Sequence, residues 1–314
     1  MRIDFSAVVP VYNELESLPE LVLQLEGVFK KLNKTFEIVF VDDGSNDGSL
    51  ELMQKMAREK KNIRIFSFRK NLGKANALSL GFNKAEGEYI LTLDADLQDD
   101  PTNLPSMLQK LKEDNLDMVS GWRKDRRDSP LKTISSKLFN RIAVPLVFKV
   151  DLHDLNCGLK LYKRELVKEI KIYGGMHRFI PVIASELGFQ VGETPIVHHA
   201  RKYGKSKYKP TKILTDIPDL LTLYFLSYYI KRPLHFFGKI GILLLGAGGL
   251  ILTYLFILRI SGNSIGTRPL LTFGVLLFTT GVQTIFTGML ADLVVSRSES
   301  HSPMIPLRYD SDTK

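Results

Sequence analysis

Two carboxylates separated by one residue, Asp94 and Asp96, stand where an apolar run gives way to a polar loop. With Gln98 adding a carbonyl oxygen, they offer the hard oxygen ligands suited to Mg²⁺ or Mn²⁺ held jointly with a diphosphate. Such a metal would neutralise the charge that develops on a departing nucleotide diphosphate. An isolated Asp-x-Asp is more often a solvated turn or cap, so this interpretation depends on the elements that position the pair.

Those elements alternate regularly. Short β-rich runs are separated by helical patterns in the first half of the chain, which predicts an α/β domain with a mostly parallel central sheet covered by helices on both faces. The predicted strands are Phe5–Val11, Phe36–Val41, Ile63–Phe68, Tyr89–Leu93 and Met118–Ser120. The predicted helices are Leu18–Leu32, Ser49–Glu59, Lys74–Ala85 and Leu104–Glu113.

Polar segments follow three of these strands. They are Pro10–Glu14, Asp42–Gly48 and Asp94–Pro101. In sheets of this kind, ligands bind at the carboxyl ends of the strands. We therefore expect the three segments to meet at one edge of the sheet, where the Asp-x-Asp pair would have acidic neighbours.

Several common chemistries lack their motifs. The sequence has no Gly-x-x-x-x-Gly-Lys-Ser/Thr segment, no Gly-x-Gly-x-x-Gly after the first strand and no His-Glu-x-x-His. These absences disfavour a simple P-loop enzyme, a dinucleotide dehydrogenase and a zincin. His198 and His199 have no Cys or His partner at metal-ligand spacing, so we predict that they are structural or line the loop rather than bind a metal.

The charge balance favours a polyanionic partner. There are 43 Lys and Arg against 34 Asp and Glu, a net charge of +9, which suits nucleic acid, anionic lipid or a phosphorylated substrate. No segment is typical of base stacking or groove entry, so nucleic acid is not expected.

The single cysteine, Cys157, excludes an internal disulfide and suits a reducing compartment. The N-terminus lacks the pattern of a signal peptide, so we expect the first domain in the cytoplasm.

Two long uncharged runs lie towards the C-terminus, Ile240–Leu258 and Pro269–Ala291. At about 1.5 Å per residue they would form helices of roughly 28 and 34 Å, each long enough for a hydrocarbon core of about 30 Å. The alternative is a pair of buried core helices, but the short loop between the runs favours a transmembrane hairpin. Gly274, Gly281 and Gly288 recur every seven residues and predict close helix packing, within the hairpin or between protomers.

A hairpin places both of its flanks on one side of the membrane. The flanks contain Lys231, Arg232, Lys239, Arg297 and Arg308, whereas the loop contains only Arg259 and Arg268, and this bias predicts cytoplasmic flanks. The predicted organisation is an α/β domain at 1–209, juxtamembrane interfacial helices at 210–235, two transmembrane helices within 236–292 (about 238–259 and 269–291) and a cytoplasmic tail at 293–314. An ordinary amphipathic helix packed on the first domain explains residues 213–229 equally well.

Three motifs together resemble family 2 glycosyltransferases of the GT-A (nucleotide-diphospho-sugar transferase) fold. They are Val9-Pro10-Val11-Tyr12-Asn13-Glu14, Val41-Asp42-Asp43-Gly44-Ser45 and Asp94-Ala95-Asp96-Leu97-Gln98-Asp99-Asp100-Pro101. The chain more narrowly resembles the dolichol-phosphate mannose synthases and the bacterial polyprenyl-phosphate glucosyltransferases, over nearly its whole length including the hairpin. The resemblance implies inverting, metal-dependent transfer of a sugar from a nucleotide-sugar to undecaprenyl or dolichyl phosphate. It also makes a homo-oligomer plausible.

The resemblance implies a role for particular residues on the donor side. Pro10, Tyr12 and Glu14 match positions that line the base and ribose, with Asp42 or Asp43 beside them. Lys74, in Asn71-Leu72-Gly73-Lys74, matches another wall of the donor pocket. The metal and diphosphate site corresponds to Asp94, Ala95, Asp96 and Gln98, and a loop that closes on the diphosphate corresponds to Arg201 and Lys207.

The acceptor side is implied in the same way. Arg123 and the basic run 124–127, with Arg127, match the region that binds the lipid phosphate, and Ser135 or Ser136 matches a further phosphate contact. Asp154, in Asp154-Leu155-Asn156-Cys157-Gly158-Leu159-Lys160, matches a carboxylate proposed as a base or an acceptor-orienting group. A phosphomonoester has a second pKa near 6 and needs little help from a base, so we expect orientation. Leu159 stands where the family usually has Phe.

Two other functions stay open. A processive polysaccharide synthase would carry a Gln-x-x-Arg-Trp signature, and the single tryptophan, Trp122, follows Gly121. A non-catalytic membrane scaffold that binds nucleotide or anionic lipid would need neither the Asp-x-Asp pair nor the basic run. The sequence does not name the sugar. UDP-glucose is the predicted donor, because the segments around Arg123 and Cys157 are more similar to the bacterial glucosyltransferases.

Overall fold

A computed structural model describes residues 3–124, 152–172, 174–203, 222, 224–225, 228–229, 232–265 and 269–298. These residues form two compact units, one within 1–219 and one within 220–314. Most of the predicted juxtamembrane segment 210–235, and the tail beyond residue 298, lie outside the described residues.

The first unit is built around strand β1 (Phe5–Val11), an apolar segment buried at nearly every position. It pairs in parallel with β2 (Phe36–Asp42) on one side and with β4 (Tyr89–Thr92) on the other, and β2 pairs in parallel with β3 (Ile63–Ser67). Parallel strands covered on both faces read as continuous apolar runs, which is why the sequence predicts them within a residue or two. The carboxyl ends of β1, β2 and β4 therefore lie side by side.

The far half of the sheet was only partly predicted. In the described part of the chain the strand order is β3-β2-β1-β4-β6-β5-β7. The predicted strand at 118–120 extends as β5 (Met118–Trp122), but β6 (Lys160–Lys163) and β7 (Val191–Pro195) were not predicted. β6 is antiparallel to both neighbours, and β7 is parallel to β5. Neither segment has an apolar run, since β6 carries a lysine at each end and β7 contains glycine, threonine and proline.

Helices cover both faces of the sheet. On one face, α1 (Leu18–Leu32) buries a stripe that includes Leu21, Leu25 and Phe29, and the Phe29 ring lies 5.4 Å from the ring of Phe5. On the other face, α3 (Lys74–Lys84) brings Gly81 against Val8 so closely that a Cβ at this glycine would collide with the Val8 side chain. The remaining α-helices in the described residues of this unit are α2 (Ser49–Glu59), α4 (Leu104–Glu113), α5 (Arg164–Glu169) and α6 (Ile180–Glu186).

The described residues of the second unit contain a pair of long helices, α7 (Pro233–Ile260) and α8 (Pro269–Ser298). Both are long and apolar enough to cross a membrane as a hairpin, with mean hydropathies of 2.3 and 1.6 over their most apolar windows. Large apolar side chains such as Leu243 and Leu250 are more than 70% exposed. Core helices of a water-soluble domain would bury such side chains, so the hairpin interpretation is favoured over a buried helix pair.

Both helices extend beyond the predicted spans. α7 begins at Pro233 rather than near residue 238, and α8 continues to Ser298, into the segment predicted as a tail. Asp292 ended the uncharged run in the sequence, yet its carboxylate accepts a 3.1 Å hydrogen bond from the backbone N–H of Leu234. That N–H is one of the backbone donors that have no partner within the helix at its start. The Asp292 carboxylate therefore has a hydrogen-bond partner on α7, and α8 continues past this residue.

The recurring glycines pack within the hairpin. A Cβ on Gly281 would lie 2.5 Å from the backbone nitrogen of Leu245, and one on Gly274 would lie 2.7 Å from the Ile251 side chain. Gly241 and Gly248 of α7 approach α8 equally closely. Small residues allow such approach, and dispersion contacts then hold helices together where lipid removes the hydrophobic driving force.

Gly281→Ala is expected to destabilise the hairpin by about 1–3 kcal/mol, because even one methyl group must push the helices apart. The measurement is loss of helical circular dichroism as SDS is titrated into the full chain in mild detergent. Gly246→Ala is the matched control, since a Cβ at Gly246 meets no atom within 4 Å. Equal stability of the two variants would contradict this packing.

Candidate active site

A cleft of about 220 Å³ opens at the carboxyl ends of β1, β2 and β4. All three predicted polar segments contribute to it, together with the start of α3 and a residue from the segment after β7. Its lining consists of Pro10, Val11, Tyr12, Glu14, Asp43, Lys74, Asp94, Ala95, Asp96 and Arg201. The structure therefore brings together most of the predicted donor-side residues.

Hydrogen bonds hold the first two loops to each other. The backbone N–H of Asn13 donates to the Ser45 hydroxyl at 2.9 Å, and the Asn13 side-chain oxygen accepts from the N–H of Asn46 at 2.9 Å. Asn13 adopts a left-handed conformation with φ of 54°, which asparagine tolerates better than most residues. The segment that carries Tyr12 and Glu14 is thus fixed by the loop after β2.

The two adjacent aspartates after β2 have different positions. Asp42 is buried and accepts hydrogen bonds from the N–H of Ser45 and the hydroxyl of Ser67, and it does not line the cleft. Asp43 does line the cleft, and its carboxylate accepts from the N–H groups of Leu72 and Gly73 at 2.7 and 3.0 Å. Burial raises the pKa of Asp43, although these hydrogen bonds oppose the shift. Asp43 is the one placed to contact a ligand.

The Asp-x-Asp carboxylates are each paired with a cation from another part of the chain. Lys74 Nζ lies 2.5 Å from Asp94 Oδ1, and Arg201 Nη2 lies 2.5 Å from Asp96 Oδ2. Arg201 also lies 3.6 Å from the Glu14 carboxylate. With Asp43, four acidic and two basic side chains therefore line the cleft, and both cations are close enough to contact an anion bound there.

The two carboxylates differ in proton affinity. Burial and the neighbouring charge of Asp94 raise the pKa of Asp96 to about 6, even though Arg201 opposes the shift. Burial acts on Asp94 in the same direction, but the charge and hydrogen bond of Lys74 outweigh it and leave the pKa of Asp94 lowered. At neutral pH both groups carry negative charge, and Asp96 gives it up first as the pH falls.

The donor atoms at this rim suit a divalent metal shared with a substrate. Among the residues that the structure describes, no group of three or more His, Cys, Asp or Glu side chains could hold a metal alone. Mg²⁺ is commonly bound by one or two carboxylates plus substrate phosphates, which Asp94 and Asp96 can satisfy. Gln98 does not line the cleft, and its backbone donates to Asp96 and accepts from the N–H of His199.

Arg123 and Asp154 form a buried bidentate ion pair. Arg123 Nε lies 2.7 Å from Asp154 Oδ2, and Nη2 lies 3.1 Å from Oδ1, with both side chains largely removed from solvent. Burial acts against the guanidinium charge, but the hydrogen bonds and charge of Asp154 raise the pKa of Arg123 above its ordinary value. The other predicted acceptor residues, Arg127, Ser135 and Ser136, lie outside the described residues, as does Lys207 on the donor side.

Sequence reasoning missed Asp99. Its carboxylate lies 3.0 Å from His198 Nδ1 and accepts a hydrogen bond from the N–H of Leu159 at 3.2 Å. It thereby joins the Asp-x-Asp loop to the turn after Asp154 and to the segment that leads to Arg201. His199 pairs with Asp100 at 3.2 Å, so both histidines contact carboxylates, in line with structural roles. The only signal in the sequence was the second acidic pair, Asp99 and Asp100, which follows Asp96 after two residues.

Sequence reasoning also missed Lys160. Its side chain is buried, with 4% exposed, beside Asp94 in a small recess next to the cleft. A lysine at the start of an unpredicted strand gives no indication that its ammonium group turns inwards.

The amino-acid sequence is similar to those of known proteins over most of its length. A family model described as "Glycosyl transferase family 2" matches residues 6–171. Dodecaprenyl-phosphate galacturonate synthase of Rhizobium johnstonii is 40% identical over 93% of this chain and 88% of its own length. Undecaprenyl-phosphate 4-deoxy-4-formamido-L-arabinose transferase of Pseudomonas paraeruginosa is 34% identical over 91% of this chain and 84% of its own length.

Solved structures resemble the fold at lower identity. Mannosyl-3-phosphoglycerate synthase from Rubrobacter xylanophilus has a TM-score of 0.53 at 17% identity, covering 71% of this chain and 72% of its own. Glucosyl-3-phosphoglycerate synthase from Mycobacterium tuberculosis, in complex with Mn²⁺, UDP and phosphoglyceric acid, has a TM-score of 0.52 at 16% identity, covering 72% and 78%. At these identities the likeness concerns the fold alone.

Asp96→Asn is expected to stabilise the ligand-free protein at pH 8 by about 1–3 kcal/mol. The folded-state pKa of Asp96 is raised, so the folded protein binds protons more tightly than the unfolded chain and loses stability as the pH rises through about 6. The neutral amide lacks this penalty, so the difference between variant and wild type should narrow as the pH falls below about 6 and close near pH 4, the ordinary pKa of an aspartate.

Thermal unfolding followed by fluorescence of Trp122, the single tryptophan, measures the effect in the first unit. Asp100→Asn is the control with opposite sign, because hydrogen bonds from Thr102 and His199 outweigh burial and lower the pKa of Asp100. If Asp96→Asn melts at the wild-type temperature at both pH values, the pKa of Asp96 is not raised.

Proposed function

Because the chain belongs to glycosyl transferase family 2, we propose that it transfers a sugar from a nucleotide-sugar to a polyprenyl phosphate. The family match and the GT-A fold of the first unit make it a glycosyltransferase. The acceptor class rests on the two relatives, which are named for polyprenyl-phosphate products or substrates. The product would be a polyprenyl-phosphate-sugar.

The pairing of Asp94 with Lys74 and of Asp96 with Arg201 is the observation that supports this reaction best. A nucleotide-sugar brings a diphosphate, and both cations could turn from the carboxylates to its oxygens by rotations about their own side chains. Asp94 and Asp96 would then be free to hold Mg²⁺ or Mn²⁺. When bound, the metal supplies positive charge that stabilises the departing diphosphate.

The donor's nucleotide is proposed to occupy the part of the cleft formed by Pro10, Tyr12 and Asp43. UDP-glucose, predicted from the sequence, remains a prediction about the donor. The two relatives are named for galacturonate and for 4-deoxy-4-formamido-L-arabinose. These names differ in the sugar but share the lipid phosphate, so the acceptor class has the firmer support.

The reaction is a direct displacement. An oxygen of the lipid phosphate attacks the anomeric carbon, a new carbon–oxygen bond forms, and the bond to the nucleotide diphosphate breaks on the opposite side. A single displacement inverts the anomeric configuration. Much of the phosphate is already dianionic at neutral pH, so the attacking oxygen has no proton that must be removed.

Asp154 is proposed to orient the acceptor rather than to act as a base. Its carboxylate is buried, and both of its oxygens accept hydrogen bonds from Arg123. A carboxylate so paired is a poor proton acceptor. It fixes the guanidinium in one plane, and the remaining N–H groups of Arg123 can donate to phosphate.

The hairpin is proposed to anchor this chemistry at a membrane. α7 and α8 are long enough to span the bilayer, and a polyprenyl phosphate is itself a membrane lipid with its phosphate at the interface. The basic flanks predict that the catalytic unit, residues 1–209 in the predicted organisation, lies on the cytoplasmic side. The juxtamembrane helices, the tail and assembly into a homo-oligomer remain proposals of the same kind.

Transfer from a panel of radiolabelled nucleotide-sugars to undecaprenyl phosphate, in detergent with Mg²⁺ or Mn²⁺, tests the proposed function. We expect one donor to yield an organic-extractable, acid-labile product of inverted configuration. Asp96→Ala should reduce the rate at least about a hundredfold, since leaving-group stabilisation of this kind contributes roughly 10²–10³-fold.

Asp114→Ala is the matched control, because Asp114 pairs with Lys110 on the exposed end of α4 and should leave transfer unchanged. If nucleotide binds but no donor labels the lipid, the lipid-acceptor function is wrong. A processive synthase would instead give a polymer that stays in the aqueous phase, and a scaffold would give no product at all.

Asp154→Asn is expected to destabilise the first unit by about 3–5 kcal/mol, because it leaves the Arg123 guanidinium buried without its counter-charge. The double variant Arg123→Met with Asp154→Leu should recover most of that stability, yet transfer should stay at least tenfold below wild type. Trp122 fluorescence and the transfer assay measure the two effects. Recovery of transfer in the double variant would mean that the pair has only a structural role.

A further inference from the structure

A small recess lies behind the donor cleft and shares Lys74 and Asp94 with it. Its other walls come from Leu78 of α3, from the end of β4, from the turn at 156–158, from β6, from His177 and from the start of α6. The accessible space is about 10 Å³, roughly enough for one water molecule. A single oxygen atom could enter it, but a sugar ring or a nucleotide base could not.

Lys160 projects into this recess from β6. The residue is 4% exposed, and its ammonium group donates to the carbonyl of Cys157. In the described part of the chain it forms no ion pair, because the one carboxylate lining the recess, Asp94, is already bound to Lys74. Burial lowers the pKa of Lys160, and the nearby charge of Lys74 lowers it further.

Ligand binding as proposed would increase the imbalance. If Asp94 binds a metal and Lys74 turns to the donor diphosphate, Lys160 stays in the recess without the one carboxylate that lines it. A buried ammonium group without a compensating anion is costly. The recess would then need a negatively charged atom from outside the chain.

We propose that this recess binds one oxygen of a substrate oxyanion, and that Lys160 is the residue that holds it. The inference rests on the proposed function, because it assumes that donor and acceptor meet at this rim. An ammonium group accepts phosphate or carboxylate oxygens alike as a point charge. The recess therefore selects for negative charge rather than for one chemical group.

Two substrates could supply that oxygen. One is the donor, if its sugar carries a carboxylate, as the galacturonate in the name of the Rhizobium johnstonii relative does. The other is the phosphate of the lipid acceptor, because the turn at 156–158 begins two residues after Asp154, which pairs with Arg123. The first source would make Lys160 a determinant of donor specificity, and the second would make it part of the acceptor site.

Binding titrations of the full chain in detergent with Mg²⁺ distinguish these sources. UDP-glucose, UDP-glucuronate and undecaprenyl phosphate are titrated into wild type, Lys160→Met and Lys163→Met. Methionine keeps the length and apolar stem of lysine without the charge. Lys163 is the matched control, since it lies on the same strand but pairs with Asp117 at the other end.

We expect Lys160→Met to weaken the binding of either UDP-glucuronate or undecaprenyl phosphate by at least about tenfold. This is the usual effect of losing a charge-assisted hydrogen bond. Selective loss of UDP-glucuronate affinity identifies the donor carboxylate, and selective loss of undecaprenyl phosphate affinity identifies the acceptor. UDP-glucose should bind within about twofold of wild type in either case, and Lys163→Met should match wild type throughout.

If Lys160→Met binds both UDP-glucuronate and undecaprenyl phosphate with wild-type affinity, the proposal is wrong. An equal loss for all three ligands, with a lower melting temperature, would also overturn it and show that Lys160 only supports the turn. The titrations do not depend on turnover. If Lys160→Met selectively loses binding of one of these two ligands while the wild-type protein transfers no sugar, the oxyanion site is supported and the proposed function is wrong.

Discussion

Negative charge crowds the carboxyl ends of β1, β2 and β4, and the site depends on how that charge is compensated. Asp94, Asp96 and Asp154 each receive a cation from a distant part of the chain. Burial alone would raise the pKa of Asp94 and of Asp96, and the charges of Lys74 and Arg201 oppose that shift. The raised pKa of Asp96 shows that compensation there is incomplete. Incomplete compensation suits the proposed binding of a metal, which would bring further positive charge.

The two units obey different packing rules. In the first, apolar side chains such as Phe5 and Phe29 leave water, and the sheet forms because burial of apolar surface is favourable on both faces. In the hairpin, leucines and phenylalanines stay exposed and glycines occupy the contact. Hydrophobicity cannot select that contact when lipid is as apolar as the side chains. The close approach of the two helix backbones at Gly248 and Gly281 selects that contact instead.

Apolar patterning predicted the sheet up to β5 because β1, β2, β4 and β5 are buried at nearly every position. The convergence of three loops followed from the rule for parallel sheets. The same patterning missed β6 and β7, whose polar residues are accommodated by neighbours far away in the chain. It also could not show which cation would meet which carboxylate. Lys74 is 20 residues from Asp94, and Arg201 is 105 residues from Asp96. Such pairings depend on where folded loops end, and no local periodicity records them.

The turn from Asp154 to Lys160 connects these separate constraints. Asp154 orients Arg123, Asp99 holds the N–H of Leu159, and Lys160 closes onto the carbonyl of Cys157. Gly158 lies directly against the Asp94 carboxylate, where a Cβ would come within 2.9 Å. A side chain at that position would displace the first carboxylate of the Asp-x-Asp pair. In the proposed function, donor and acceptor chemistry therefore share one short segment, and Gly158 sets how closely this segment approaches Asp94.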